Sequence, residues 1–132
     1  MFKLIKILNS AVNTGEPVKL TAAQGQSLKA GTLGILSDGA LRPCGATETP
    51  THLIGKYSAD GNKIIAYPIC PSMIFDCPIS QSPDSLTVGS KVTLTVEDGA
   101  AVGVTAVTAG GVARIFDLCG ATESGDTVSV CF

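Results

Sequence analysis

Polar and apolar residues alternate along much of this chain, which is the pattern expected of strands that bury one face. The clearest stretch covers residues 91–97 and predicts one strand with Val92, Leu94 and Val96 on its inward face. Further strands are predicted at residues 18–21, 33–36, 53–57, 63–67, 73–77, 112–118 and 127–132. Helical periodicity is weak throughout, so the pattern predicts little or no helix.

Turn signals separate these predicted strands. They are Asp38-Gly39, Asp60-Gly61-Asn62, Asp98-Gly99 and Gly110-Gly111. An Asp-Gly pair favours a two-residue hairpin turn, because both of its residues can adopt a positive φ. Turns spaced about every 8–12 residues are typical of a sandwich or a barrel. The sequence therefore predicts an all-β fold, a compact β-barrel or β-sandwich.

One six-residue segment occurs twice. The residues Cys-Gly-Ala-Thr-Glu-Thr at 44–49 return 75 residues later (119 − 44 = 75) as Cys-Gly-Ala-Thr-Glu-Ser at 119–124. A Leu-x-x-Gly segment and an Asp-Gly pair precede each copy, and a predicted strand follows it. We interpret this order as two diverged β units, at about 16–70 and 80–132, within a single β domain that covers 16–132. The alternative is convergence on a turn of small residues.

The repeated segments are predicted to form matching structural corners. Gly45 and Gly120 would adopt backbone conformations that are closed to other residues. Glu48 and Glu123 would face solvent or accept hydrogen bonds from turn amides. Both corners are expected to have the same backbone conformation.

The first 15 residues are predicted to form an N-terminal arm and a flexible connection. Phe2, Leu4, Ile5 and Ile7 make the arm apolar enough for an interaction. It could pair within its own domain or add a strand to a neighbouring protein. Lysines interrupt the apolar stretch, so we expect no signal peptide and synthesis in a bacterial cytoplasm.

Composition excludes several classes of partner. Hydrophobic residues make up 45% of the chain and charged residues only 15%, which leaves little charge to cover the surface. The net charge is −2 and the basic residues are scattered, so we expect neither nucleic-acid nor membrane binding. Part of the surface is instead expected to be buried by other proteins.

The sequence contains no recognisable catalytic or metal-binding motif. The five cysteines lack Cys-x-x-Cys spacing and are predicted to be reduced and mostly buried, with no metal and no cofactor. His52 is the single histidine, so a hydrolase site would have to be built around it, with Glu48 and Glu123 as carboxylates. We predict no enzymatic activity and no catalytic residues.

Several segments resemble a known family in their order along the chain. They are 28–33 (Leu-Lys-Ala-Gly-Thr-Leu), 46–54 (Ala-Thr-Glu-Thr-Pro-Thr-His-Leu-Ile), 65–69 (Ile-Ala-Tyr-Pro-Ile), 73–76 (Met-Ile-Phe-Asp), 88–94 (Val-Gly-Ser-Lys-Val-Thr-Leu) and 127–132 (Thr-Val-Ser-Val-Cys-Phe). Together they resemble the small capsid decoration, or cement, proteins of tailed bacteriophages, over about residues 16–132. The chain departs from that pattern in its cysteines and in His52, where the family has an aromatic residue.

The resemblance implies a non-enzymatic virion protein on the capsid exterior. Its partner would be the major capsid protein, and it would act as a homo-oligomer, with a trimer favoured. The alternative function is a small bacterial β-barrel module that binds a polysaccharide or a peptide.

Overall fold

The computed structural model describes residues 1–8, 16–26, 28–57 and 62–132. Within these ranges the chain forms twelve strands and no helix, so no helix there could span a membrane. The strands are β1 (Lys3–Ile7), β2 (Val18–Ala22), β3 (Leu33–Ser37), β4 (Ala40–Pro43), β5 (His52–Tyr57), β6 (Lys63–Pro68), β7 (Met73–Pro78), β8 (Lys91–Val92), β9 (Leu94–Glu97), β10 (Ala100–Val104), β11 (Ala113–Asp117) and β12 (Thr127–Cys131). The all-β prediction is confirmed.

The first five strands after the arm close into a barrel, which we call the first ring. The order is β4-β2-β6-β5-β3, and a further β3–β4 pairing closes it. The tight turn Asp38-Gly39 joins β3 to β4 with φ values of 51° and 77°, as the sequence predicts. Five buried side chains fill the ring: Leu28, Leu41, Ile54, Ile64 and Ala66.

The remaining strands repeat this order in what we call the second ring. Strands β7, β12, β11 and β8 lie side by side, and the chain continues from β8 through Thr93 into β9. Strand β9 pairs with β10 across the Asp98-Gly99 turn, whose φ values are 48° and 77°. A parallel bridge between Ile79 and Val104 joins the end of β7 to β10. The first ring has its own parallel pair, β2 with β4, at the corresponding place.

Backbone hydrogen bonds establish which residues of the two rings correspond. In the first ring the Gly31 amide donates to the Ile54 carbonyl at 2.8 Å, and in the second the Gly89 amide donates to the Ile115 carbonyl at 2.8 Å. Both glycines follow a Leu-x-x step and have positive φ, 80° and 93°. By this correspondence Gly31 is equivalent to Gly89 and Ile54 is equivalent to Ile115. Strand β7 belongs to the second ring, although the predicted halves at 16–70 and 80–132 left residues 73–78 between them.

The predicted equivalence of the two Cys-Gly-Ala-Thr-Glu corners is wrong. Cys119 and Gly120 both have positive φ, 54° and 75°, whereas Cys44 and Gly45 lie outside the left-handed region. The Cys44 side chain is buried and that of Cys119 is exposed. The corners differ because the carboxylates that hold them come from different positions in the sequence, as described below.

The alternating stretch 91–97 does not form a single strand. It breaks at Thr93, so that β8 belongs to one sheet and β9 to the other. Thr93 is buried, and its hydroxyl lies 2.7 Å from that of Thr105. Val92 and Leu94 are buried as predicted, but Val96 is 39% exposed, because β9 lies at the edge of its sheet.

The structure also settles the pairing of the arm and adds two strands that the pattern missed. Strand β1 pairs antiparallel with β7 of the same chain. The unpredicted strands β4 and β10 each follow an Asp-Gly turn. The connection at residues 9–15 and the predicted turn at 60–61 lie outside the described residues.

A large core joins the two rings. Ala101 of β10 pairs with Leu33 of β3, which links the two rings through one sheet. Leu33 and Leu53 of the first ring pack in the same cluster as Phe75 and Ile115 of the second. The rings therefore share buried surface and form one packed unit.

Candidate functional site

The residues considered for a hydrolase site have separate local environments. His52 is 8% exposed, and its Nδ1 lies 2.8 Å from the Thr51 hydroxyl. Burial lowers the pKa of His52, so the imidazole is neutral at pH 7. Glu48 lines a cleft with Arg42, Gln26 and Val96, and neither His52 nor Glu123 contributes to that lining.

Glu48 holds the first corner through a fork of hydrogen bonds. Arg42 donates to both carboxylate oxygens, at 2.8 and 3.0 Å, and the Gly45 amide donates at 2.8 Å. The Arg42 hydrogen bonds, followed by that from Gly45, lower the pKa of Glu48 to about 2. The carboxylate is therefore ionised near neutrality and fully occupied in fixing the loop after β4.

Asp126, which the sequence analysis did not identify, holds the second corner, residues 119–124, through hydrogen bonds to backbone amides. Its carboxylate accepts the amides of Thr122 at 2.8 Å and Glu123 at 3.1 Å, and these bonds lower the pKa of Asp126. The Glu123 side chain is exposed. The available signal was an Asp next to Gly125, just before a strand, where side-chain caps of turns are common.

The predicted interaction arm lies largely against its own chain. Phe2 is 3% exposed and donates its amide to the Gly31 carbonyl, while Leu4 and Ile7 are partly buried. Ile5 is 37% exposed, at a bulge in the β1–β7 pairing. Such a bulge, together with Lys3 and Lys6 on the strand, is a common way to block the free edge of a sheet.

The cysteines are free thiols, but they are less buried than predicted. Cys44 and Cys77 are buried, Cys70 and Cys119 are exposed, and Cys131 is intermediate. Burial raises the pKa of Cys44 and of Cys77 to about 12. Within the described ranges, no group of three His, Cys, Asp or Glu side chains is placed to hold a metal ion.

Large apolar side chains remain exposed over much of the surface. They are Met1, Ile5, Leu36, Tyr57, Val88, Val96, Val107 and Phe116. Val88 is the most exposed, at 65%, and Phe116 is 42% exposed. The bond between the Gly89 amide and the Ile115 carbonyl places these two residues at the same end of the β8–β11 pair.

Two cations lie beside them on the same pair of strands. Lys91 of β8 is directly opposite Arg114 of β11, and Arg114 is opposite Cys131 of β12. All three line a cleft of about 370 Å³, which we call the cationic cleft. Its other lining residues are Thr49, Pro71, Gly111, Val112 and Phe132. The cleft combines two positive charges with apolar side chains, among them Val112 and Phe132.

Comparisons with known proteins identify no relative. No protein-family model matches this chain, and no curated protein or solved structure matches it either. The likeness to capsid decoration proteins therefore stays a prediction that rests on the order of the segments.

Proposed function

We propose that this protein is a structural component of a tailed-bacteriophage virion, which binds the outer surface of the capsid and stabilises it. The order of the six resembling segments along residues 28–132 supports the family assignment. The all-β fold agrees with what that resemblance implies, although many other functions use all-β folds.

The observation that carries the proposal is the number of large apolar side chains left in solvent. Among the residues that the structure describes, eight such side chains are more than a third exposed, and only 15% of the residues of the chain are charged. A contiguous exposed apolar patch is typical of an interaction site, and Val88 and Phe116 lie at the same end of the β8–β11 pair. A capsid lattice supplies such a partner, in the form of the major capsid protein and neighbouring copies of this chain.

The strand pairing is consistent with that role. The first ring is closed by the β3–β4 pairing, and the edge strand β1 carries a bulge and two lysines. The other edge strands, β8 and β9, are only two and four residues long. Contacts with a capsid would therefore involve side-chain faces and loops, rather than the addition of strands. We propose that three copies associate at the symmetry axes of the shell.

Co-sedimentation with capsids tests this function. The purified protein would be mixed with capsids of the phage that encodes it, after removal of any surface protein. We expect saturable binding at a fixed ratio to the capsid protein, and a higher temperature of capsid rupture. Capsids that already carry the protein are the control, since their filled sites should take up no more. Absence of binding to stripped capsids would contradict the proposal.

A further inference from the structure

Equivalent positions of the two rings carry opposite chemistry. Leu33 pairs with Leu53 in the first ring, and Lys91 pairs with Arg114 in the second. In each pair the first residue comes two positions after the equivalent glycine, Gly31 or Gly89. The second residue comes one position before the equivalent isoleucine, Ile54 or Ile115. The leucines are buried in the core between the rings, at 0% and 7% exposure, whereas both cations are exposed. The positions that are buried in the core in the first ring are thus exposed to solvent in the second ring.

The cation pair forms no ion pair within the described part of the chain. Arg42 is held by Glu48 and Lys29 lies 3.7 Å from Asp98, but neither Lys91 nor Arg114 forms an ion pair there. Like charges directly opposite on neighbouring strands destabilise a sheet. A carboxylate from outside the chain would remove this repulsion and gain hydrogen bonds with both cations.

The walls of the cationic cleft add a requirement for apolar groups. Pro71, Val112 and Phe132 line the cleft beside the two cations. Val88, which precedes β8, and Phe116 of β11 are exposed outside the lining of the cleft. A ligand that fits must therefore place a negative charge between apolar side chains.

We propose that the cationic cleft binds a segment of a partner protein in which an Asp or Glu is flanked by apolar residues. The carboxylate binds between Lys91 and Arg114, and its apolar neighbours pack on Val112 and Phe132. Charge complementarity favours a peptide over a nucleic acid, because a chain of net charge −2 with two clustered cations cannot follow a phosphate backbone. The inference concerns the cleft itself and does not depend on the partner being a capsid.

Amide NMR on the isotope-labelled full chain tests the proposal with a defined probe. The probe is a blocked hexapeptide, acetyl-Gly-Leu-Glu-Leu-Glu-Gly-amide, and its comparison peptide replaces both Glu residues by Gln. We expect the acidic peptide to shift the amide signals of Lys91, Val112, Arg114 and Cys131, and to bind at least about tenfold more tightly than the Gln peptide.

Two double variants with the same change of charge complete the experiment. Lys91→Gln/Arg114→Gln should weaken binding by about tenfold, whereas Lys3→Gln/Lys56→Gln should leave it unchanged. The NMR spectrum of each variant reports whether it has folded. Equal affinity for the two peptides, or shifts confined to other surfaces, would overturn the proposal. Tighter binding of a thymidine oligonucleotide than of the acidic peptide would also overturn it, in favour of a nucleic-acid site.

Discussion

At the scale of single residues, the carboxylate of Glu48 is the best-defined electrostatic feature of the molecule. Its pKa is lowered from 4.5 to about 2, so its stabilising contribution is complete above pH 4.5 and is lost as the pH falls through about 2. The side chains of Arg42 and Glu48 are 39% and 40% exposed, so solvent screens their attraction.

We expect Glu48→Gln to lower the free energy of unfolding at pH 7 by no more than about 1 kcal/mol. The difference from the unsubstituted protein should shrink as the pH falls below 4.5 and vanish only below about pH 2, where the Glu48 carboxyl is protonated in the folded state and is as neutral as glutamine. Urea unfolding across this pH range measures it. Glu123→Gln is the matched control, because Glu123 occupies the same place in the repeated segment but is exposed. Equal losses in the two variants would refute the role of the Arg42–Glu48 fork.

The thiols should fall into classes that follow their exposure. At pH 8 a thiol reagent should modify Cys70 and Cys119 rapidly and Cys131 more slowly. Cys44 and Cys77 should react only after unfolding, because they are buried and their thiols have pKa values of about 12. Cys70→Ser should lower the number of rapidly reacting thiols by one per chain. Rapid modification of Cys44 in the native protein would contradict the structure.

The two corners show the limit of residue-level prediction. Their sequences are almost identical, yet Gly120 has a left-handed φ and Gly45 does not. The difference depends on Arg42, which reaches Glu48, and on Asp126, which binds the amides of Thr122 and Glu123. Neither partner lies within the repeated six residues, so the repeat itself carried no information about them.

At the scale of secondary-structure elements, the closing of the second ring depends on a close approach between β10 and β7. A Cβ placed on Gly103 would lie 2.4 Å from the carbonyl oxygen of Pro78, which is backbone and cannot move aside. Glycine inside a strand often marks such an approach. The contact is therefore a point at which a single methyl group would separate the two strands.

Gly103→Ala should destabilise the protein by about 2–3 kcal/mol, through the steric overlap. Gly99→Ala is the comparison, since nothing lies within 4 Å of its added Cβ and only its φ of 77° opposes the change. It should cost about 1–2 kcal/mol. Thermal unfolding of both variants provides the measurement, and a smaller loss for Gly103→Ala than for Gly99→Ala would contradict the proposed closure.

Hairpin turns were predictable from sequence, whereas the assignment of strands to sheets was not. Asp38-Gly39 and Asp98-Gly99 have the positive φ values that their sequence demands. The break at Thr93 arises from tertiary structure, because β8 pairs with β11 whereas β9 pairs with β10. Local alternation contains no signal for such a change of partner.

At the scale of the whole molecule, the sequence matched the Leu-x-x-Gly and Asp-Gly segments of the two halves correctly, but it matched the corners wrongly. The longest identical segment suggests a match between residues 44 and 119. The backbone hydrogen bonds instead join Gly31 to Ile54 and Gly89 to Ile115, which makes Gly31 equivalent to Gly89 and Ile54 equivalent to Ile115. The cationic cleft could not be predicted either. It depends on Lys91 and Arg114 meeting across strands that are far apart in sequence.

The predicted self-association into a trimer can be measured directly in solution. Exposed apolar side chains such as Val88 and Phe116 lead us to expect a trimer, or trimers that form only on the capsid lattice. Light scattering at high micromolar concentration measures the mass in solution. A trimer should dissociate or weaken in a Val88→Ser/Phe116→Ser variant, while Val107→Ser serves as the control on another loop. A stable dimer or tetramer would contradict the expected symmetry.

Cryo-electron microscopy of stripped capsids, with and without added protein, tests the central claim of capsid decoration most directly. The account predicts additional density on the outer surface at the symmetry axes, large enough for the two packed rings. Capsids of unchanged appearance, or density confined to the interior, would contradict it.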